Sequence, residues 1–185
     1  MKRLLVALLL APALCAAVPS SKLLKGVESP LRLELDGKTL ELNGMGVRTK
    51  VVFKVYVGSL YLEKTSADGN AIAASEQVKR MELAFLRGVS GEDVVGAISA
   101  GFNANAGDSL PALSERMQKF TKLIPDVKKG DRLAFVYRPG AGLEVQANGK
   151  KTGEIPGKDF SDALFRVWLG DKPADGALKA GLLGK

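Results

Sequence analysis

One segment, residues 43–63, holds three side chains able to bind an anionic or carbonyl-bearing group: Arg48, Lys54 and Tyr56. Two glycines, at positions 44 and 46, precede the arginine, and paired glycines indicate a shaped corner or a close approach of the backbone. A guanidinium forms charge-assisted hydrogen bonds to carboxylates, and a phenol in the same cleft could donate one more. The same spacing is also compatible with an ordinary turn followed by a strand that carries exposed cations.

The element that positions these side chains is a long predicted strand, which runs from about Arg48 to Leu62. Its odd-numbered positions are almost wholly apolar and are expected to face the core. Its even-numbered positions place Arg48, Lys54 and Tyr56 together on the other face.

The distance along this strand raises an alternative. Arg48 and Tyr56 are eight residues apart, and a straight strand of that length spans about 26 Å. The two side chains could therefore bind a single carboxylate only if the chain bends between Thr49 and Val52; otherwise they mark opposite ends of the cleft. If the strand is straight, Lys54 and Tyr56 form the better pair.

The residue types that are missing exclude several kinds of catalytic site. The chain of 185 residues contains no histidine and a single cysteine, Cys15. Ser–His–Asp and Cys–His catalytic groups therefore cannot form, nor can a zinc site that uses imidazole. We predict neither a cofactor nor a metal.

The charge pattern argues against nucleic acid as a partner. Basic residues outnumber acidic ones by 27 to 20, which gives a net charge of +7, but the basic residues are scattered in short pairs. A nucleic-acid-binding protein usually concentrates its cations and combines them with aromatic residues. Solvated faces explain most of these lysines, and attraction to an anionic membrane surface is the other interpretation.

The first residues have the order of a secretory signal peptide. A basic start, Lys2–Arg3, precedes an apolar run, residues 4–13, and a small-residue exit that predicts cleavage after Ala17. Cleavage after Cys15 or a lipid anchor on Cys15 is the alternative, although Leu14 stands where a lipid anchor would require a small residue. The apolar run is short of the roughly 20 residues that span a membrane. We therefore predict an exported, periplasmic protein without a transmembrane segment in the mature chain.

The mature chain is predicted to consist of a flexible lead-in, residues 18–30, and a single domain, residues 31–185. Strand patterns are joined by turn signals such as Asp36–Gly37 and Asn148–Gly149, which favour tight hairpins. Hairpin strands combined with grouped helices indicate an α+β fold, in which helices cover one face of an antiparallel sheet. The main helical patterns lie in residues 90–102, 109–124 and 159–169, with a last short helix after Pro173.

Three segments resemble the bacterial exported members of the chalcone isomerase-like family: GMGVRTKVVFKVYVGSLYLE, GDRLAFVYRPGAGLEV and IPGKDFSDALFRVWLGDKP. The resemblance extends from about residue 31 to residue 184, with the segments in the same order. It implies an open-faced β-sandwich, in which helices back a large antiparallel sheet, with a ligand cleft between the helices and the sheet.

The resemblance also implies roles for individual residues. Arg48 matches an arginine that plant chalcone isomerases share with non-catalytic members that bind fatty acids. Tyr56 stands where the plant enzymes have a threonine and where the fatty-acid-binding members have a tyrosine. Val167 replaces a second threonine, and Asp93 and Ala100 fall nearest a tyrosine and an asparagine of the enzymes. Several hydroxyl and amide donors of the plant site are therefore missing here.

Three functions stay open at this point. The leading hypothesis is non-catalytic binding of a small amphipathic anion, such as a fatty acid, by Arg48 and Tyr56, with Lys54 as a further ligand-binding candidate. The alternative is an isomerase, or intramolecular lyase, that acts on a chalcone-like or other enone substrate. Arg48 would then be an electrostatic stabiliser and Tyr56 an acid, although the missing donors weaken this hypothesis. A structural envelope protein is the second alternative.

Overall fold

A computed structural model describes residues 20–185, and the predicted signal peptide lies outside these residues. The described chain contains nine strands and five α-helices, with one 3₁₀ turn at Gly107–Ser109. In chain order the elements are β1 (Ser21–Leu24), β2 (Val27–Pro30), β3 (Arg32–Leu35), β4 (Lys38–Lys50), β5 (Phe53–Leu62), α1 (Gly69–Ala74), β6 (Lys79–Phe85), α2 (Gly91–Ala106), α3 (Leu110–Thr121), β7 (Arg132–Arg138), β8 (Gly142–Ala147), β9 (Lys150–Ile155), α4 (Lys158–Leu169) and α5 (Gly176–Leu182).

Strands β3 to β9 form one seven-stranded sheet, in which each strand lies antiparallel to the next strand in the sequence. The two predicted Asx–Gly turns join neighbouring strands, and all four of their residues have positive φ angles: Asp36 (52°), Gly37 (74°), Asn148 (49°) and Gly149 (77°). Asparagine, aspartate and glycine tolerate this conformation better than other residues. The α+β prediction with a large antiparallel sheet is therefore confirmed.

The helices cover one face of this sheet and enclose the main core with it. Helix α4 is buried along most of its length, from Phe160 to Leu169, and α2 packs against it. Side chains of β5 and β6 that point to the same side, such as Leu60 and Leu83, belong to the same apolar cluster. No helix within residues 20–185 has the length and hydropathy needed to cross a bilayer.

The predicted flexible lead-in is wrong for the residues that the structure describes. Strands β1 and β2 form a hairpin, whose buried Ser29 shares a hydrogen bond of 2.9 Å with Ser59 of β5. Ser59 points away from the helices, so the hairpin lies against the other face of the sheet, near a small apolar cluster around Tyr61. The hairpin was missed because its strands do not alternate cleanly in polarity, and its anchor is a contact that is distant in sequence.

The long strand predicted from Arg48 to Leu62 is also wrong, because the chain turns back at Val51–Val52. The bend considered as an alternative therefore exists. The predicted orientation of β5 is reversed as well: Tyr56 and the even-numbered leucines beyond it face the helix-covered core. Two valines give no turn signal, and a run of β-branched residues across the turn therefore resembles one continuous strand.

Candidate functional site

A cavity of about 420 Å³ lies between the helices and the end of the sheet where β4 turns into β5. Ligand pockets in proteins usually measure roughly 300–1,000 Å³, so the cavity has room for a small molecule. Its wall is mainly apolar, and β6, α2 and α4 contribute six apolar side chains to it: Leu83, Phe85, Val94, Ile98, Val167 and Trp168.

Arg48 and Tyr56 both line this cavity, and the fold brings them opposite each other. They form a register pair across β4 and β5, on either side of the turn at Val51–Val52. Opposite residues of an antiparallel pair have Cβ atoms about 4.5–5.5 Å apart. The turn thus replaces the separation of about 26 Å along a straight strand by direct proximity, and one ligand group can reach both side chains.

Lys54 does not line the cavity, which corrects its prediction as a ligand-binding residue. Arg48 pairs with Tyr56, but Thr49 pairs with Lys54, so Val55 is an extra residue in β5 and forms a β-bulge. A bulge breaks the simple alternation of side chains along a strand. As a result, Val55 and Tyr56 both line the cavity, whereas Lys54 is exposed outside it.

Tyr56 keeps its proton and has it free for a ligand. Its hydroxyl oxygen accepts a hydrogen bond of 3.0 Å from Nε1 of Trp168. No other described side chain bonds this hydroxyl, and the ring of Phe85 packs against the Tyr56 ring edge to face at 5.7 Å. Burial raises the pKa of Tyr56 to about 12, although the bond from Trp168 and the charge of Arg48 act in the opposite direction. The neutral phenol is therefore available as a hydrogen-bond donor at physiological pH.

Arg48 is held in place by an aspartate that the sequence analysis did not single out. Its Nη1 atom donates to the Thr49 carbonyl at 2.6 Å and lies 3.3 Å from Oδ2 of Asp175. Asp175 also caps α5, because its Oδ1 accepts from the backbone N–H groups of Ala177 (2.9 Å) and Leu178 (3.1 Å). Among residues 20–185, the guanidinium makes its side-chain hydrogen bonds through Nη1 alone, which leaves Nη2 and Nε for a ligand.

The pKa of Asp175 reflects this arrangement. Its partial burial raises the pKa of the carboxyl group. This is outweighed by groups that stabilise the carboxylate, namely the backbone N–H groups of Leu178 and Thr49 and the nearby charge of Arg48. The pKa of Asp175 therefore lies below its usual value, and the carboxylate is charged at neutral pH. A signal for its capping role was present, since Asp175 directly precedes a short helical pattern.

The glycines before Arg48 allow α5 to approach β4 closely. A Cβ atom on Gly46 would lie 2.5 Å from the carbonyl oxygen of Leu178. Gly44 and Gly181 are equally close to the opposing backbone. The glycine pattern thus serves close packing of helix on strand, and this packing places Asp175 beside Arg48.

The mouth of the cavity carries more positive than negative charge. Exposed Lys50 and Arg87 line it together with Asp93, whose backbone N–H is capped by Ser90. Of the other positions that the resemblance singles out, Val167 lines the cavity and Ala100 lies in a shallower groove beside it. No cluster of metal-ligating side chains occurs in the described part of the chain.

Comparisons with known proteins agree with the fold. A sequence model of a family described as chalcone isomerase-like matches residues 21–184. Among solved structures, the chain is similar to the crystal structure of a fatty-acid-binding protein of Arabidopsis thaliana, with 17% sequence identity and a TM-score of 0.70. The similarity covers 89% of this chain and 96% of that chain, which confirms the predicted open-faced architecture. No curated protein sequence matches the chain.

Proposed function

The chain belongs to the chalcone isomerase-like family, and we propose that it is a binding protein for a small amphipathic anion such as a fatty acid. The observation that carries this proposal is the pairing of Arg48 with Tyr56 at the wall of a mainly apolar cavity. The similar structure from Arabidopsis thaliana is that of a fatty-acid-binding protein, which supports the same ligand class.

The two polar side chains have complementary tasks in this proposal. The free N–H groups of Arg48 bind the carboxylate of the ligand, and the Tyr56 hydroxyl donates a further hydrogen bond to it. Each charge-assisted hydrogen bond contributes about 1.5–3 kcal/mol. Burial of the tail against residues such as Phe85 and Ile98 contributes about 0.8 kcal/mol per CH₂ group, so the tail supplies most of the affinity.

A displacement assay with a fluorescent fatty acid tests the proposal. We expect saturable binding by the wild-type protein and binding that is about tenfold or more weaker in Arg48→Ala, since the charge-assisted bond is lost. Arg32→Ala is the matched control, because Arg32 is an exposed arginine of β3 that pairs with Glu41 away from the cavity. Absence of saturable binding by the wild-type protein, or equal losses in both variants, would contradict the proposal.

Mass spectrometry of ligands released from the purified protein provides an independent test. We expect a lipid-like anion in roughly one-to-one ratio with the protein, as binding of one ligand beside Arg48 and Tyr56 implies. Turnover of a chalcone that is abolished in Arg48→Ala would instead support the isomerase alternative. The methyl groups of Val167 favour binding over isomerisation, because they offer no donor for a developing negative charge.

We also propose that the protein is exported to the periplasm and loses residues 1–17, because its first residues have the order of a signal peptide. The measured mass of the protein from its native host tests this proposal. We expect the mass of a chain that begins at Val18, whereas a chain that retains Met1, or a lipid on Cys15, would contradict it.

A further inference from the structure

The turn between β4 and β5 exposes three consecutive apolar side chains. Within residues 20–185, the large apolar side chains that are exposed number five, and three of these are Val51 (89% exposed), Val52 (76%) and Phe53 (57%). Single exposed apolar residues are common on protein surfaces, but contiguous ones usually mark an interaction site. We call residues 51–53 of this turn the apolar tip.

The residue types of the tip do not suit its backbone conformation. Val51 has a φ angle of 58°, which is unfavourable for a β-branched residue. The same chain uses Asp36–Gly37 and Asn148–Gly149 at two comparable turns, where the residues suit the positive φ angles. Violations of a local rule that are retained in a folded protein tend to occur at functional positions. The formation of the turn therefore does not explain why valines occupy it.

Cations surround the tip. Lys50 and Phe53 form a register pair, Lys54 follows on the strand, and the Arg87 guanidinium lies 4.7 Å from the centre of the Phe53 ring. The nearby charge of Arg48 is already matched by Asp175. The acidic groups on this side, Glu92 and Asp93, belong to the first turn of α2. An apolar tip with a cationic rim has the composition of segments that insert shallowly into an anionic membrane interface.

The tip is also part of the cavity wall. Lys50, Val51 and Phe53 line the cavity together with Arg48 and Tyr56, whereas Val52 and Lys54 do not. A molecule that leaves the cavity past these side chains therefore emerges at the tip.

We propose that the apolar tip docks the protein on anionic lipid bilayers, and that a lipid-like ligand passes between the bilayer and the cavity at this point. The passage of a ligand rests on the function proposed above, whereas the docking does not. The bilayer is the occupant that fits, because it supplies an apolar interior for the valines and negative charges for the cationic rim.

Vesicle co-sedimentation with paired variants tests the docking. We expect the wild-type protein to bind vesicles made of equal parts of phosphatidylcholine and phosphatidylglycerol, and to bind phosphatidylcholine vesicles at least tenfold less. Val52→Asp is expected to reduce binding to the mixed vesicles at least tenfold. Leu23→Asp is the control, because Leu23 is similarly exposed (71%) but lies on β1, and it should stay within twofold of the wild type.

A second pair tests the charge contribution. Lys54→Glu should weaken binding to the mixed vesicles by about fivefold or more, which corresponds to the contribution of one basic residue near an anionic surface. Lys64→Glu changes the net charge equally but lies beyond the other end of β5. The logarithm of its fold-change in vesicle binding should therefore be less than half of that for Lys54→Glu. Wild-type binding should also fall as salt concentration rises.

The outcomes separate docking from ligand binding. Val52→Asp should bind a fluorescent fatty acid as the wild type does in vesicle-free solution, since Val52 does not line the cavity. Vesicle binding without fatty-acid binding would leave the docking intact and refute the passage of a ligand. Fatty-acid binding without vesicle binding would overturn the docking, as would a Val52→Asp variant that binds vesicles like the wild type, or equal losses in Leu23→Asp.

Discussion

Two clusters of similar side chains lie at different places in this molecule, and they use their hydrogen-bonding groups differently. One contains Arg48, Tyr56 and Asp175 at the cavity. The other contains Lys79, Tyr137 and their acidic partners, where β6 begins beneath α1 and α4. Each cluster combines a cation, a tyrosine and at least one carboxylate, but only the first adjoins the cavity.

In the second cluster the donors are already used. The Lys79 ammonium, which is fully buried, donates to the carbonyls of Ile72 (3.1 Å), Ala73 and Ser75 (3.0 Å) at the end of α1. Burial lowers the pKa of Lys79 to about 8, although the Asp162 carboxylate, at 3.7 Å from Nζ, opposes the shift. The Tyr137 hydroxyl donates to Glu76 at 2.7 Å.

In the first cluster, donors remain free. Within the described residues, Arg48 uses only Nη1, and the Tyr56 hydroxyl accepts a hydrogen bond without donating one. What distinguishes the binding site from the structural cluster is therefore that its hydrogen-bond donors remain unused beside a cavity. The residue types alone do not distinguish the two.

The largest expected effect comes from removal of the buried lysine. Lys79→Met leaves three buried carbonyls without their donor and removes one of the two cations beside Asp162, which keeps Lys158. We expect it to lower the free energy of unfolding by about 3–5 kcal/mol. Arg48→Met should cost only about 1 kcal/mol, because its partner Asp175 is only partly buried and retains backbone donors. Urea unfolding of both variants measures the difference. A larger loss in Arg48→Met than in Lys79→Met would refute the comparison.

The next largest effect on stability is expected at the contact between β4 and α5, which brings Asp175 to Arg48. Gly46→Ala places a methyl group against the Leu178 carbonyl of α5, and we expect a loss of about 1–3 kcal/mol in the free energy of unfolding. Gly176→Ala is the control, since a Cβ atom at this exposed position of α5 meets nothing within 4 Å. It should be neutral or slightly stabilising. A neutral Gly46→Ala would mean that close packing does not explain this glycine.

A smaller effect concerns the charge of Asp175. Because its pKa is lowered in the folded state, the stabilisation that it provides is fully present above the ordinary carboxyl pKa of about 4 and is lost as pH falls through the folded-state value. We expect Asp175→Asn to unfold about 1 kcal/mol more easily than the wild type at neutral pH. This difference should shrink in urea titrations below about pH 4. A difference that is constant across this range would show that the charge is not involved.

The smallest effect is expected at the apolar tip. Val51→Asn should raise the free energy of unfolding by about 0.5–1 kcal/mol, because asparagine tolerates the positive φ angle better than valine. Val52→Asn should give no such gain, because Val52 is not among the residues with a positive φ angle. Thermal unfolding of the two variants provides the measurement. A stabilised Val52→Asn with an unchanged Val51→Asn would contradict the assignment of strain to Val51.

The parts of the fold that could be predicted depend on local chemistry. Asp36–Gly37 and Asn148–Gly149 determine their own turns, and the alternating strands beside them therefore had an identifiable register. The helix-covered antiparallel sheet followed from the same patterns. Arg48 and Tyr56 were identifiable as candidate partners, because their residue types suit an anion and the resemblance placed them in one cleft.

The parts that could not be predicted depend on contacts between distant residues. The Val51–Val52 turn conflicts with local preference, and the bulge at Val55 removes Lys54 from the cavity without any signal in the sequence. Asp175 reaches Arg48 only because α5 packs against the glycines of β4. Each of these features is decided by tertiary packing, which the periodicity of a single segment does not contain.

The central claim is that the negative head group of a ligand lies beside Arg48 inside the cavity. A fatty acid labelled with carbon-13 at its carboxyl group reports this by NMR, because an adjacent guanidinium favours the charged form and lowers the carboxyl pKa. We predict one saturable bound signal, whose pKa lies below that of the same fatty acid in neutral detergent micelles, and loss of this lowering in Arg48→Ala. A bound carboxyl group whose pKa equals the micelle value, or is unchanged in Arg48→Ala, would contradict the account.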